Sequence, residues 1–262
     1  MKNVLVKSLV TAGALAIFAL SAFSQVVVTP ANPQGWTTSD TRPGGAVSFV
    51  VDGTAPGGIG ALRLTSDATT TAKAQYMHDA AIPLANVNEL KYYTKQTSAA
   101  FSGGDVSYQL PVCLGGATPT SCTGFTTLVF EPYENGTVIN NLWQSWDVFA
   151  GQLWSSRSYT GGTCSVTAGG GGAPFYSIPL LKAACPNAVV VGFGVNIGSN
   201  NPSYDVSADL FNFNGTTYDF EPYAVATNKD QCKNGGWSTL KRADGSSFKN
   251  QGDCVSYTNN GK

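Results

Sequence analysis

The chain has 262 residues, only 12% of them charged, and its formal net charge is −1 at pH 7. Nucleic-acid binding needs a dense Lys and Arg footprint, so this composition argues against a nucleic-acid partner, and the net charge gives no reason to expect a polyanionic substrate. Thirty glycines and an aromatic content of 11% favour short strands and turns over helices.

The N-terminus predicts a secretion signal over residues 1–24. Lys2 and Lys7 supply positive charge, residues 9–20 are apolar, and small residues precede a cleavage site after Ser24. The alternative is a retained N-terminal anchor, but the apolar run is short for a membrane span, which needs roughly 18 or more residues. We therefore expect a secreted or cell-surface protein whose mature chain has no transmembrane span.

The mature chain is predicted to consist of short strands separated by loops rich in Gly and Pro. The predicted strands are residues 46–51, 61–66, 72–77, 90–96, 105–110, 126–133, 142–149, 188–197, 205–213 and 217–223. One helix is expected over residues 177–184, because Ser177 can cap it, Pro179 is tolerated in its first turn and Pro186 stops it. This pattern predicts one all-β domain over residues 25–223.

The segment from Thr126 to Ser155 contains three of the five tryptophans and is predicted to form one β-meander. Its first strand alternates, with Leu128 and Phe130 on one face and the residues between them on the other. A turn at residues 134–136 leads to a second strand, and the chain then returns through Leu153 and Trp154.

The last part of the chain differs in composition from the rest. Residues 224–227 form a predicted linker, and residues 228–262 form a predicted helical unit too small to bury much surface.

Six cysteines in an exported chain imply disulfides, with 15 connectivities formally open. Pairing of sequence neighbours suggests the bridges Cys113–Cys122, Cys164–Cys185 and Cys232–Cys254, the last of which would staple the terminal unit.

Several motifs resemble known secreted bacterial proteins. The strand GALRL at residues 60–64, the LVFEPY meander, the strand GFGVNIGSNN and the strand DLFNF are similar to jelly-roll carbohydrate-binding modules. The terminal CKNGGW and FKNQGDCVSY motifs resemble a short module that recurs at the ends of exported bacterial proteins. This resemblance implies a jelly-roll antiparallel β-sandwich, a bound glycan or cell-surface component as partner, and a structural calcium ion, for which Asp205 and Asp209 are candidate ligands.

Carbohydrate recognition requires flat aromatic faces and groups that hydrogen-bond to hydroxyls. Trp143 and Trp146 are three residues apart, which places them on opposite faces of a strand. Trp146 shares its face with apolar residues and is assigned to the core. The candidate binding surface is therefore Trp143, Asp147 and Trp154, joined by Tyr133, and the alternative is that these tryptophans pack inside the sandwich.

Two other functions stay open. The tetrapeptide FEPY occurs twice and places Glu131 and Glu221 in equal contexts, where they could act as the acid and the nucleophile of a glycoside hydrolase if they lie about 5–10 Å apart. Against this, Glu-Pro also ends strands, because proline lacks a donor. The remaining alternative is a structural or adhesive surface protein. A non-catalytic, carbohydrate-binding protein is the leading prediction.

Overall fold

The computed structural model describes residues 24–260, so the predicted secretion signal lies outside the described residues except for Ser24. In chain order the strands are β1 (Ser24–Val28), β2 (Gly45–Val51), β3 (Gly60–Ser66), β4 (Ala74–Pro83), β5 (Leu90–Ser98), β6 (Ser107–Cys113), β7 (Ala117–Thr118), β8 (Ser121–Cys122), β9 (Phe125–Phe130), β10 (Gln144–Asp147), β11 (Leu153–Ser155), β12 (Tyr159–Gly161), β13 (Cys164–Val166), β14 (Phe175–Tyr176), β15 (Val189–Ile197), β16 (Asp205–Phe213) and β17 (Thr216–Phe220). The helices are α1 (Pro132–Asn135), α2 (Ile178–Ala184) and α3 (Gln251–Asn260).

Two sheets form a jelly-roll sandwich, which confirms the predicted fold class. The smaller sheet has six antiparallel strands in the order β14-β11-β9-β6-β15-β4. In the seven-stranded sheet, one side of β16 pairs with β5, and β10 extends β5. The other side of β16 pairs first with β3 and then, beyond Leu210, with β17. Strand β2 pairs with β3, and β1 runs parallel to β17.

Alternating side chains of both sheets fill one core, as period-two patterns require. Tyr92 and Phe211 of the larger sheet and Tyr108 of the smaller sheet are fully buried. Trp36, which precedes β2, is only 2% exposed and lies between the layers, stacked on Tyr76 of the smaller sheet at 5.3 Å and edge-on to Phe211 at 5.3 Å. These aromatic contacts join the two sheets.

The predicted meander over residues 126–155 is wrong, because its three strands belong to different sheets. Strands β9 and β11 pair in the smaller sheet, whereas β10 pairs with β5 in the larger one. The helix α1 and the loop after it carry the chain across. Strand β10 is also shorter than predicted and begins at Gln144, so Trp143 lies outside it. Trp146 is buried as predicted, and its indole N–H donates to Thr94 at 2.8 Å.

Local signals place the helix and the cystines. Ser177 caps α2 by accepting from the Leu180 N–H at 3.4 Å. The structure contains the three disulfides between sequence neighbours, Cys113–Cys122, Cys164–Cys185 and Cys232–Cys254. The last bridge lies in a separate small apolar cluster with Ala226 and Phe248, distinct from the sandwich core. Among residues 24–260, no helix is long and apolar enough to cross a membrane.

Candidate functional site

A groove of about 540 Å³ lies over the outward face of the six-stranded sheet. It runs across the strands rather than along them, because its lining comes from the same end of β11, β9, β6 and β15 and from Lys73, directly before β4. The residues that line it are Arg42, Lys73, Phe101, Gly104, Asp105, Ser107, Gln109, Thr127, Val129, Glu131, Tyr133, Trp154, Ser156, Gly170, Gly171, Asn196, Ile197, Gly198, Ser199, Asn200, Asn201 and Tyr204. Four spacings of about 4.8 Å between these five strands give a length of about 19 Å.

Strand alternation builds the floor of the groove. In β9, Leu128 and Phe130 are buried in the core, so Val129 points outward between them, as the sequence predicts. Val129 is registered with Trp154 on one side and with Gln109 on the other. Neighbouring strands thus place an indole, an apolar side chain and an amide in one row across the sheet.

The aromatic end of the groove is formed by three side chains from separate segments. Trp154 is half-buried on β11, beneath the glycine-rich loop at residues 169–172. Tyr133 donates its hydroxyl to the Gly171 carbonyl at 2.9 Å, which ties that loop to α1. Phe101 is 51% exposed and meets the Tyr133 ring edge-on at 5.2 Å. An exposed ring beside a half-buried indole is the kind of apolar surface on which a sugar ring stacks.

Glu131 lies on the groove floor directly after β9. Burial raises the pKa of its carboxyl to about 8, and the charges of Glu134 and Asp105 add to the effect. The indole N–H of Trp154 faces the carboxyl and acts in the opposite direction, although the pair does not reach full hydrogen-bond geometry. At neutral pH the carboxyl is therefore largely protonated, so it can both donate to and accept from a ligand hydroxyl.

Asp105 is the second carboxyl of the groove, and its oxygens are already engaged. One accepts from the Thr94 hydroxyl at 2.5 Å, and the other accepts from the Val106 N–H at 2.8 Å. Burial raises its pKa to about 7. Because Thr94 in turn accepts from the buried Trp146 indole, Asp105 braces the loop before β6 against the core.

The structure divides the predicted binding surface between two sheets. Trp154 and Tyr133 line the groove, whereas Trp143 and Asp147 belong to the β10 region of the larger sheet. Lys95 lies over the Trp143 ring at 5.6 Å, and Asp147 accepts from the Ala150 N–H at 3.1 Å. Trp143 and Asp147 thus lie outside the groove, and a ligand contact at either residue stays a prediction.

Glu221 lies away from the groove, so the two FEPY glutamates do not share a cleft. It is 4% exposed at the end of β17 and accepts from the Ile59 N–H at 2.8 Å. Burial raises its pKa to about 7, and the neighbouring Asp219 is a further cause. Glu131 lines the groove and Glu221 does not, so the groove itself supplies no second FEPY glutamate as a partner for Glu131.

The residues proposed for calcium have other partners. Asp205 accepts two hydrogen bonds from Arg63, at 2.7 and 2.6 Å, and Asp209 accepts from the amides of Gly57 and Phe220. Among residues 24–260, no group of three or more His, Cys, Asp or Glu side chains is arranged to hold a metal ion. Asp205 and Asp209 therefore do not fit the ion.

Two further carboxyls, Asp219 and Glu221, lie against each other near the end of β17. Asp219 Oδ1 and Glu221 Oε2 are buried, and burial raises the pKa of both groups, so the pair can share a proton. Calcium binding stays a prediction.

Sequence reasoning missed most of the groove. Ser107, Gln109 and Asn196 are polar residues on outward strand positions, a pattern that any solvated sheet face shows. Phe101 did carry a signal, since it is a large aromatic residue in a loop with serine and two glycines, where burial is not expected. Such a residue is a candidate for a ligand contact.

No protein-family model matches the chain, and no curated protein sequence matches it. A comparison with solved structures finds a likeness to a family 11 carbohydrate-binding module from Clostridium thermocellum, determined in complex with a β-1,3-1,4-mixed-linked tetrasaccharide. The two chains are 11% identical, with a TM-score of 0.41, and the match covers 70% of this chain and 90% of the other.

Proposed function

We propose that this protein is an extracellular, non-catalytic carbohydrate-binding protein and that the groove over the six-stranded sheet is its glycan site. The observation that carries the proposal is the pairing, in one groove, of Trp154 and Phe101 with a row of amide and hydroxyl groups. A concave site with aromatic walls and a few oriented polar groups is the usual form of a small-ligand site. Extracellular placement is supported by the three disulfides, which persist in oxidising compartments.

The groove offers each type of contact that a sugar needs. Trp154 lines the groove, where its ring can stack on the C–H groups of a pyranose. The protonated Glu131 beside it can meet hydroxyls as donor or acceptor. Further along, Ser107 and Gln109 are fixed, because Gln109 donates to the Ser107 hydroxyl at 2.7 Å, and that hydroxyl donates to the Asn196 carbonyl at 2.9 Å. A fixed polar row costs little entropy on binding. A length of about 19 Å suits an oligosaccharide better than a single sugar.

Trp154→Ala tests the proposal. The mature protein is screened against a panel of oligosaccharides, and the affinity for the best ligand is measured by isothermal titration calorimetry. Removing the indole should weaken binding by about tenfold or more, since an aromatic contact carries much of the apolar area of a site. Trp143→Ala is the matched control, because it removes an indole that lies outside the groove, next to β10. Under the proposal this change should leave affinity unchanged. Equal losses in both variants, or no binding by the unaltered protein, would contradict the assignment.

A further inference from the structure

We propose that the glycan bound in the groove is acidic, and that Arg42 and Lys73 hold the carboxylate of a uronic acid at the end opposite Trp154. This inference rests on the proposed function and names the class of sugar. Although the net charge of the chain gives no reason to expect an anionic ligand, the distribution of charge within the groove does.

Arg42 and Lys73 are neighbours at one end of the groove. The backbone N–H of Arg42 donates to the backbone carbonyl of Lys73 at 2.9 Å, immediately before β4. The two side chains therefore start from adjacent points of the backbone. Both line the groove, and the Arg42 side chain is 49% exposed. Guanidinium and ammonium groups placed together form a site for an anion.

The carboxylate of Asp40 is the counter-ion of both Lys73 and Arg42, and within residues 24–260 the N–H donors of the Arg42 guanidinium stay free. Lys73 bonds to Oδ2 of Asp40, and Arg42 Nε lies 3.6 Å from Oδ1 of the same group, beyond hydrogen-bond distance. These cations hold the pKa of Asp40 below its usual range. Among the described residues, the Arg42 guanidinium donates no hydrogen bond from its side chain. Two positive charges therefore face one negative charge, and a planar fork of donors remains open to the groove.

The surrounding groups favour an acidic sugar over a simple anion. The Asn200 amide and the Ser199 hydroxyl line the same end and make no side-chain hydrogen bond to a described residue, so they are open to ring hydroxyls. The carboxyl of Glu131, directly after β9, has a pKa of about 8, and the carboxyl of Asp105, before β6, has a pKa of about 7. At pH 6 both carboxyls are mostly protonated and repel a bound anion only weakly. The cations lie about 19 Å from the aromatic end, so one oligosaccharide reaches both.

The test compares two ligands that differ only in the carboxylate. An oligogalacturonate and its carboxyl-reduced form, the neutral galactose oligomer of the same linkage, are titrated at pH 6 into the unaltered protein and into Arg42→Gln. We expect the acidic ligand to bind at least tenfold more tightly than the reduced one, and Arg42→Gln to remove this preference, since hydrogen bonds to charged groups are the strong ones. The preference should also fall as salt rises.

Asp40→Asn distinguishes anion binding by Arg42 and Lys73 from a purely structural role of these two residues. It removes the carboxylate that competes for both cations, so affinity for the oligogalacturonate should rise severalfold while affinity for the reduced ligand stays unchanged. Two results would overturn the uronic-acid assignment: equal affinity for the two ligands, or tighter binding of a sulfated oligosaccharide than of either. Both results would leave the proposed function intact. Absence of binding to either ligand and to every neutral glycan would overturn both.

Discussion

Glu131→Gln should make the protein less sensitive to alkaline pH. The folded state holds the Glu131 proton up to a pKa of about 8, whereas the group titrates near 4.5 when unfolded. Between these values the folded state binds more protons than the unfolded state, so the free energy of unfolding falls as pH rises. The stability associated with this carboxyl is fully present below pH 4.5 and is lost as pH passes through about 8. Glutamine, which does not titrate, removes that loss.

The structure bounds the size of the effect. The interval from 4.5 to about 8 corresponds to about 5 kcal/mol at about 1.36 kcal/mol per pH unit. The groove admits water, which raises the effective dielectric around the carboxylate, so we expect about 2 kcal/mol of this to be measured. The groups that face Glu131 from neighbouring elements are Trp154 on β11, Asp105 before β6, Glu134 on α1, and the phenols of Tyr133 and Tyr204, whose pKa values Glu131 also raises.

Urea unfolding at pH 5, 7 and 9, followed by tryptophan fluorescence, measures the effect. The stability of Glu131→Gln relative to the unaltered protein should be higher at pH 7 than at pH 5 and higher again at pH 9, with most of the increase below the folded pKa of about 8. Glu89→Gln is the control, since Glu89 forms an exposed ion pair with Lys91 at 2.9 Å, and surface pairs contribute little. A stability difference for Glu131→Gln that stays constant across these pH values would refute the argument that burial in the groove keeps the carboxyl protonated.

Replacing Cys164 and Cys185 by alanine should lower the free energy of unfolding by about 3 kcal/mol, because the bridge closes a loop with a sequence separation of 21; an unchanged urea midpoint would contradict this. Phe211→Ala should cost about 3–5 kcal/mol by leaving a cavity between the sheets, as measured by the same unfolding curves.

The parts of the fold that sequence predicts are those with local causes. The burial of Leu128 and Phe130 follows from alternation within one strand, and the start of α2 follows from the Ser177 cap. The wrong prediction over residues 126–155 has a non-local cause. Periodicity tells which face of β10 is apolar, but it carries no information about which strand pairs with it. Its partner is β5, about 50 residues earlier in the chain, so Trp143 and Trp154 are separated although they are close in sequence.

The two FEPY tetrapeptides show where sequence reasoning about a site ends. Each places a glutamate at the end of a strand and before a proline, which favours an extended backbone, and the structure gives both glutamates that position. Burial also raises the pKa of both. Their difference lies in what packs against them: Glu131 lies beside Trp154 on the floor of an open groove, whereas Glu221 is buried and accepts from the Ile59 amide. The same four residues thus give a candidate ligand contact in one sheet and a loop anchor in the other, because the surrounding strands, and not the motif, determine access to solvent.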